Sequence, residues 1–154
     1  MSAKKRKPYR YTECGLDNVF VYGLPPIVDD HGKKVFGVQN INGLHREIAR
    51  LIVTQDAAMA GKQLRFLRTE MGLTQAELAK LVHKEPLTVG RWEREENPID
   101  ENADTLIRLI GIEKMELESK ISVEDMSGLS VPRAAPQPID IDGSDPNNYR
   151  SIAA

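Results

Sequence analysis

The side chains with chemistry to offer in this sequence are three histidines, one cysteine and a group of cations gathered in its middle part. Cys14, His31 and His45 stand 17 and 14 residues apart, which matches no metal-ligand spacing, and a single cysteine cannot build a site of several thiolates. The sequence has no glycine-rich nucleotide loop and no nucleophile motif, and its histidines lack acids at useful spacing. A non-enzyme without cofactor or metal is expected. What remains is recognition chemistry: Lys84, Arg91 and Arg94, interleaved with Gln75, Pro86, Leu87 and Thr88, present donors suited to an anionic partner.

Composition bounds the class of protein that carries such a group. A chain of 154 residues holds one domain, or a small domain with an appendage. Hydrophobic residues make up 40% and aromatics 5%, and charges interrupt every apolar window. Nothing approaches the roughly 18 consecutive apolar residues of a membrane span. The first residues are basic but no apolar stretch follows, so no secretory signal is expected and the protein is read as soluble and cytoplasmic. The net charge of −2 is unevenly placed. Nine basic residues face six acidic ones over 1–59, seven face six over 60–97, one faces three over 98–112, and four face eight over 113–154. This gradient fits a basic surface for an anionic partner and an acidic C-terminal part.

Texture divides the chain into five stretches. Residues 1–8 are expected to form a basic flexible arm, whose Lys4, Lys5, Arg6 and Lys7 either track phosphates or only solubilise the terminus. Residues 9–58 read as a small β-rich module with one helix. Tyr9, Tyr11, VFVY at 19–22 and VFGV at 35–38 are rich in strand formers, and turn signals separate them. Two or three short antiparallel strands follow from this. From Asn42, taken as an N-cap, Leu44, Ile48, Leu51 and Ile52 repeat at helical spacing and make a stripe to cover the sheet. Residues 59–112 read as successive helices. Leu64, Leu67 and Met71 share a face that Gly72 ends, Thr74 and Glu77 have capping-box form, Pro86 opens another helix, and Asp100 caps one carrying Ala103, Leu106, Ile107 and Ile110. Residues 113–126 suit a short helix. Residues 127–154, with Pro132, Pro136, Pro138 and Pro146 among Ser, Gly, Asp and Asn, read as a disordered tail.

The spacing within 61–110 carries the functional expectation. One helix over about 75–82 and a second over about 86–95 leave only His83, Lys84 and Glu85 between them. So short a turn forces a steep crossing, and such a pair docks with its second helix projecting into a DNA major groove. Ala79 lies near the crossing. Val89 and Trp92, one turn apart, anchor the second helix in the core and leave Pro86, Leu87, Gly90, Arg91 and Arg94 outward. His83 either meets a phosphate or is merely exposed, and Leu87 either contacts a base or packs on the preceding turn. Arg65 and Arg68 face solvent or pair with nearby acids.

GKQLRFLRTEMGLTQAELAKLV and TVGRWEREENPI resemble the Cro/CI-type (XRE) helix-turn-helix family over roughly residues 60–112, the specific marks being LTQAELA at 73–79 and TVGRWE at 88–93. The resemblance implies a mostly α, lambda-repressor-like DNA-binding domain in which Gln75 binds a phosphate beside a helix N-terminus. Pro86, Leu87 and Arg91 fall on positions that meet base edges, and Lys84, Thr88 and Arg94 complete the expected DNA-binding set. The family usually opens this helix with polar Gln, Ser or Arg, whereas Pro86 and Leu87 stand here and Gly90 has no side chain. Leu87 can meet a thymine methyl, and Arg91 can take a guanine through two bonds, worth about 1–3 kcal/mol of discrimination. DNA shape or the basic arm supplies the rest.

Further upstream, YTECGLDNVFVYGLP and INGLHREIARLIV are similar to relatives of MqsA-type antitoxins, over residues 9–55. By that resemblance the N-terminal module binds and blocks an mRNA-cleaving toxin, and the helix-turn-helix half represses the shared operon as a dimer. MqsA-type proteins carry a zinc site of four cysteines, which a chain with Cys14 alone cannot form. The expected protein is a sequence-specific transcriptional regulator, a homodimer on double-stranded operator DNA with an inverted repeat, acting as autorepressor and as antitoxin of a cognate toxin. Its dimer surface is either Leu106, Ile107, Ile110 and Ile112 or the sheet. Two rival readings stay open: a module that mainly neutralises a toxin, and an adaptor that keeps the fold without DNA binding.

Overall fold

The computed structural model describes residues 7–35, 37–129 and 136–152. They fall into two compact units, one drawn from the chain up to Ile48 and again from Pro138 onward, the other from Ala49–Gln137. The division lies inside the first helix rather than after residue 58. Of the expected basic arm, residues 1–6 lie outside the described residues, and Lys7 is exposed.

The strands of the first unit are β1 (Tyr9–Arg10), β2 (Val19–Tyr22), β3 (Ile27–Val28), β4 (Lys34–Val35), β5 (Ile139–Asp142) and β6 (Arg150–Ser151). β3 and β4 pair with each other as an antiparallel hairpin. Its turn is closed by the Asp29 carboxylate, which accepts from the backbone N–H of His31 and Lys33 at 2.9 and 2.8 Å. The other four form a mixed sheet of order β1-β2-β5-β6, with β2 and β5 parallel and the outer pairs antiparallel. Alternation decides which face goes inward. Val19 lies opposite Ile139 and Val21 opposite Ile141, all buried, while Phe20 and Tyr22 stand beside Asp140 and Asp142 on the other face. Leu16, Leu24, Leu44, Ile48 and Tyr149 are buried in the same unit.

The expected disordered tail over 127–154 is therefore corrected for its described part. A helix runs to Leu129, and β5 and β6 belong to the sheet, because IDID buries its two isoleucines against Val19 and Val21 and keeps both aspartates on the opposite face. Two further bonds tie this segment down: the Tyr149 hydroxyl donates to the Gln39 carbonyl, and Asn40 Nδ2 donates to the Pro146 carbonyl at 2.9 Å. The small module is thus not purely N-terminal. Of VFGV, Val35 ends β4 and Phe36 lies outside the described residues.

The helices are α1 (Ile41–Thr54), α2 (Gly61–Glu70), α3 (Gln75–Leu81), α4 (Pro86–Glu93), α5 (Glu101–Met115) and α6 (Val123–Leu129). Asn42, expected as a cap, is the second residue of α1. Asn40 takes that place, its side-chain oxygen accepting from Gly43 N at 3.2 Å and its carbonyl from Leu44 N at 3.1 Å. A Cβ at Gly43 would lie 2.4 Å from Asn40 Nδ2, so a larger residue there would displace the capping side chain. In the second unit, Ile52, Val53, Leu64, Leu67, Leu78, Val89 and Ile107 are wholly buried. Asp100 caps α5 through its carboxylate and Ala103 N.

A buried polar cluster holds the stretch between α1 and α2 against α5. Arg108 is fully buried and donates from Nε to Asp104 Oδ1 at 2.7 Å, and its other nitrogens reach the carbonyls of Gln55, at 2.7 Å, and Ala57. Asp104 Oδ2 accepts from Met59 N at 2.9 Å, so both charges have several partners. On α5 the expected Ala103 and Ile107 are buried, but Asp104, Arg108 and Gly111 share the inward face with them and Leu106 is turned outward. No helix among the described residues is long and apolar enough to cross a membrane.

Candidate nucleic-acid interface

The candidate surface is built on α3, α4 and the turn between them. Thr74, in extended backbone, starts α3 with reciprocal bonds: its Oγ1 accepts from Glu77 N, and Glu77 Oε1 accepts from Thr74 N, both at 3.0 Å. These bonds hold the Glu77 carboxyl below the usual carboxylate range, the Thr74 backbone N–H more than its side chain. α3 ends at Leu81. The chain turns through His83 at φ +58°, with Lys84 N donating to the Ala79 carbonyl at 2.9 Å. Glu85 is extended and Pro86 follows as the first helical residue, where its missing N–H leaves no bond unmade.

Packing sets which side of α4 faces out. Val89 and Trp92 are buried and Ala79 is buried in α3, as the short turn demands. Gly61 allows α2 to approach the end of α4: a Cβ there would lie 2.2 Å from the Trp92 carbonyl oxygen. Behind α4 stands a fork-shaped ion pair, with Arg68 Nε and Nη2 donating to Glu93 at 2.5 and 3.0 Å. The Glu93 carboxylate raises the Arg68 pKa, and Arg68 also donates to the Leu73 carbonyl at 3.0 Å. Of the two alternatives for Arg68, the pairing with an acid is the one observed.

The expected site residues then fall as follows. Pro86, Leu87, Arg91 and Arg94 are exposed on α4 and just beyond its end, and Thr88 is half-buried. Leu87 is 58% exposed, so it is not packed away on the preceding turn. Among the described residues none pairs with Arg91. Gln75 is half-buried at the start of α3, and its Nε2 donates to Glu93 Oε1 at 3.1 Å. Lys84 in the turn lies 4.0 Å from Asp100 Oδ2, both partly exposed. Arg94 Nε donates to Glu96. His83 is exposed. Sequence reasoning missed the acids Glu93, Glu96 and Asp100 as partners of these donors. The signal for Glu93 lay in helical periodicity, which puts it next to Trp92 on the inward side, where an acid needs a cation.

Elsewhere, Cys14 is half-buried, His31 is exposed, and His45 Nε2 lies 2.7 Å from the Tyr11 hydroxyl. Among the described residues no group of three or more His, Cys, Asp or Glu is arranged to hold a metal ion.

A helix-turn-helix family model matches residues 64–117, from within α2 to just beyond α5. The match covers about a third of the chain and supports a DNA-binding transcriptional regulator whose helix-turn-helix lies in this segment. No curated protein and no solved structure matches the chain.

Proposed function

We propose that the protein is a sequence-specific, dimeric transcriptional repressor that reads double-stranded DNA with α4. One observation carries this: Val89 and Trp92 are buried while Leu87 and Arg91 on the same helix are exposed, in a segment that matches the helix-turn-helix family. In a lambda-repressor-like arrangement the outward side of α4 lies in the major groove. Arg91 takes a guanine through two bonds and Leu87 a thymine methyl. Gln75, Lys84, Thr88 and Arg94 flank that readout, with phosphate contacts fixing register. Two copies place their recognition helices about 34 Å apart on an inverted repeat in the chain's own promoter.

The finer role is that of an autorepressing antitoxin. It rests on the resemblance of residues 9–55 to MqsA-type relatives, a segment that lies outside the part matched by the helix-turn-helix family. Copurification of the full-length chain with a small basic partner supports this role, and a chain that only self-associates counts against it.

Fluorescence anisotropy at roughly physiological salt tests the DNA reading, with the chain's upstream region against a shuffled duplex, because affinity depends steeply on salt. Selective binding to the first is expected. Arg91→Ala should weaken that complex by about 1–3 kcal/mol and relax preference at one base position. Equal, weak binding to both duplexes overturns the repressor role in favour of a partner-neutralising module.

A further inference from the structure

α4 ends on an acid that helix stability does not explain. Its last turn closes with Glu95 at φ +61°, Glu95 N donating to the Trp92 carbonyl and Glu96 N to the Arg91 carbonyl, both at 3.0 Å. This turn pins Glu96 beside the C-terminal end of α4, where the unpaired carbonyls already carry partial negative charge and a carboxylate is unfavourable. The carboxylate is instead paired: Arg94 Nε donates to Glu96, and the two side chains are 55% and 52% exposed. The Arg94 guanidinium lies back along the helix, with Nη1 3.1 Å from where a Cβ on Gly90 would stand. Leu87, Gly90 and Arg94 follow one another at three- and four-residue spacing. The paired guanidinium and carboxylate therefore sit on the side of α4 that carries the exposed Leu87.

We infer that Glu96 is a built-in competitor for the DNA backbone: it occupies Arg94 in the free protein, and a phosphate must displace it before Arg94 can bind. The inference rests on the DNA-binding reading above and deepens it. Competition follows from chemistry, because a carboxylate and a phosphodiester offer anionic oxygens to the same N–H donors. The displaced carboxylate stays close to the incoming phosphate, held there by the turn through Glu95, and like charges so placed repel. The Arg94 contact then yields less than an unpaired arginine would. The Arg91 side chain has no such acid among the described residues. Glu96 thus weakens a sequence-blind contact and leaves base readout untouched, which shifts the weight of binding from phosphate to base.

Removing the charge must then improve binding, which loss of a purely structural contact cannot do. The test uses the full chain, its upstream region and a mixed-sequence duplex of about 20 base pairs, two helical turns. Glu96→Gln should bind both duplexes about three- to fivefold more tightly, with a salt dependence steeper by about one phosphate contact. Its thermal midpoint should stay near that of the parent, since an exposed pair contributes little to stability. In an Arg94→Ala background the same substitution should keep less than about half of that gain on a logarithmic scale, because the residue it acts through is gone. The inference is overturned if Glu96→Gln binds more weakly than the parent, which would make the carboxylate a support for Arg94. It is equally overturned if more than half of the gain survives in the Arg94→Ala background, which would make it a general effect of charge. A parent that binds neither duplex overturns the DNA reading and the competitor together, whereas a binding parent matched by Glu96→Gln overturns the competitor alone.

Discussion

The two units are held together in opposite ways. The helical unit is continuous in sequence, and its ends are marked locally: Thr74 caps α3, Pro86 opens α4, Asp100 caps α5, and Gly72 at φ +71° closes the turn after α2. Its least local feature is the Arg108–Asp104 cluster. The sheet unit is discontinuous: its central parallel pair joins β2 near the start of the chain to β5 near the end. Strands of two to four residues have little standing alone, so this unit exists through pairing and burial of Val19, Val21, Ile139 and Ile141. Closing so long a loop is tolerable because the entropic cost rises only with the logarithm of its length. A unit built from local signals should tolerate damage at a distance, and a unit built on long-range pairing should not.

The largest expected effect is on the helical unit. Arg108→Ala strands the buried Asp104 carboxylate and three backbone carbonyls, and should cost about 3–5 kcal/mol in urea unfolding. Pairing Arg108→Met with Asp104→Leu should recover only the part due to the unpaired carboxylate, because the backbone carbonyls and Met59 N still lose their partners. If the single variant proves harmless, the cluster is not what joins α5 to the stretch before α2.

Next comes the sheet. Ile141→Ala removes a fully buried side chain and should cost about 3 kcal/mol. Hydrogen exchange should show lost protection in β1, β2, β5 and β6 with α2 to α5 still protected. Equal loss in both sets would dissolve the division into two units.

Thr74→Ala should destabilise the helical unit by about 1 kcal/mol through the lost cap. The pH dependence follows from Glu77, whose folded pKa is depressed. Its contribution is fully present above the unfolded carboxylate pKa and is lost as pH falls through the lower folded value. The stability gap between the parent and Glu77→Gln should therefore be constant near neutrality and shrink below the usual carboxylate range. A gap that widens in acid would reverse the assignment.

The smallest change is a gain. His83 sits at φ +58°, where a Cβ is disfavoured, so His83→Gly should stabilise the helical unit by about 1 kcal/mol without touching the sheet. Thermal melts of the parent and of His83→Gly read it directly. A loss would mean that the imidazole makes a compensating contact.

Much of the helical unit was legible because its signals are local. Capping residues, a three-residue turn and the one-turn interval between Val89 and Trp92 are all contained within a few helical turns. Two things there were not. The α5 periodicity favoured Leu106 and Ile110 over Asp104 and Arg108, since an apolar stripe can be read from residue types but a buried ion pair needs to know its carbonyl partners. The exposed donors of α4 were in view, yet their acids were not: Glu93 and Glu96 stand within a few residues of Arg94, but which reaches it and which turns inward to Arg68 depends on side-chain direction.

By itself the sequence determined the helices, the caps of α3 and α5 and the outward side of α4, because each depends on contacts between residues three or four apart. Only the tertiary structure decided that IDID is a core strand rather than part of a tail. Its four residues carry no meaning until Val19 and Val21 lie beside them, and that register is a long-range pairing no local pattern encodes.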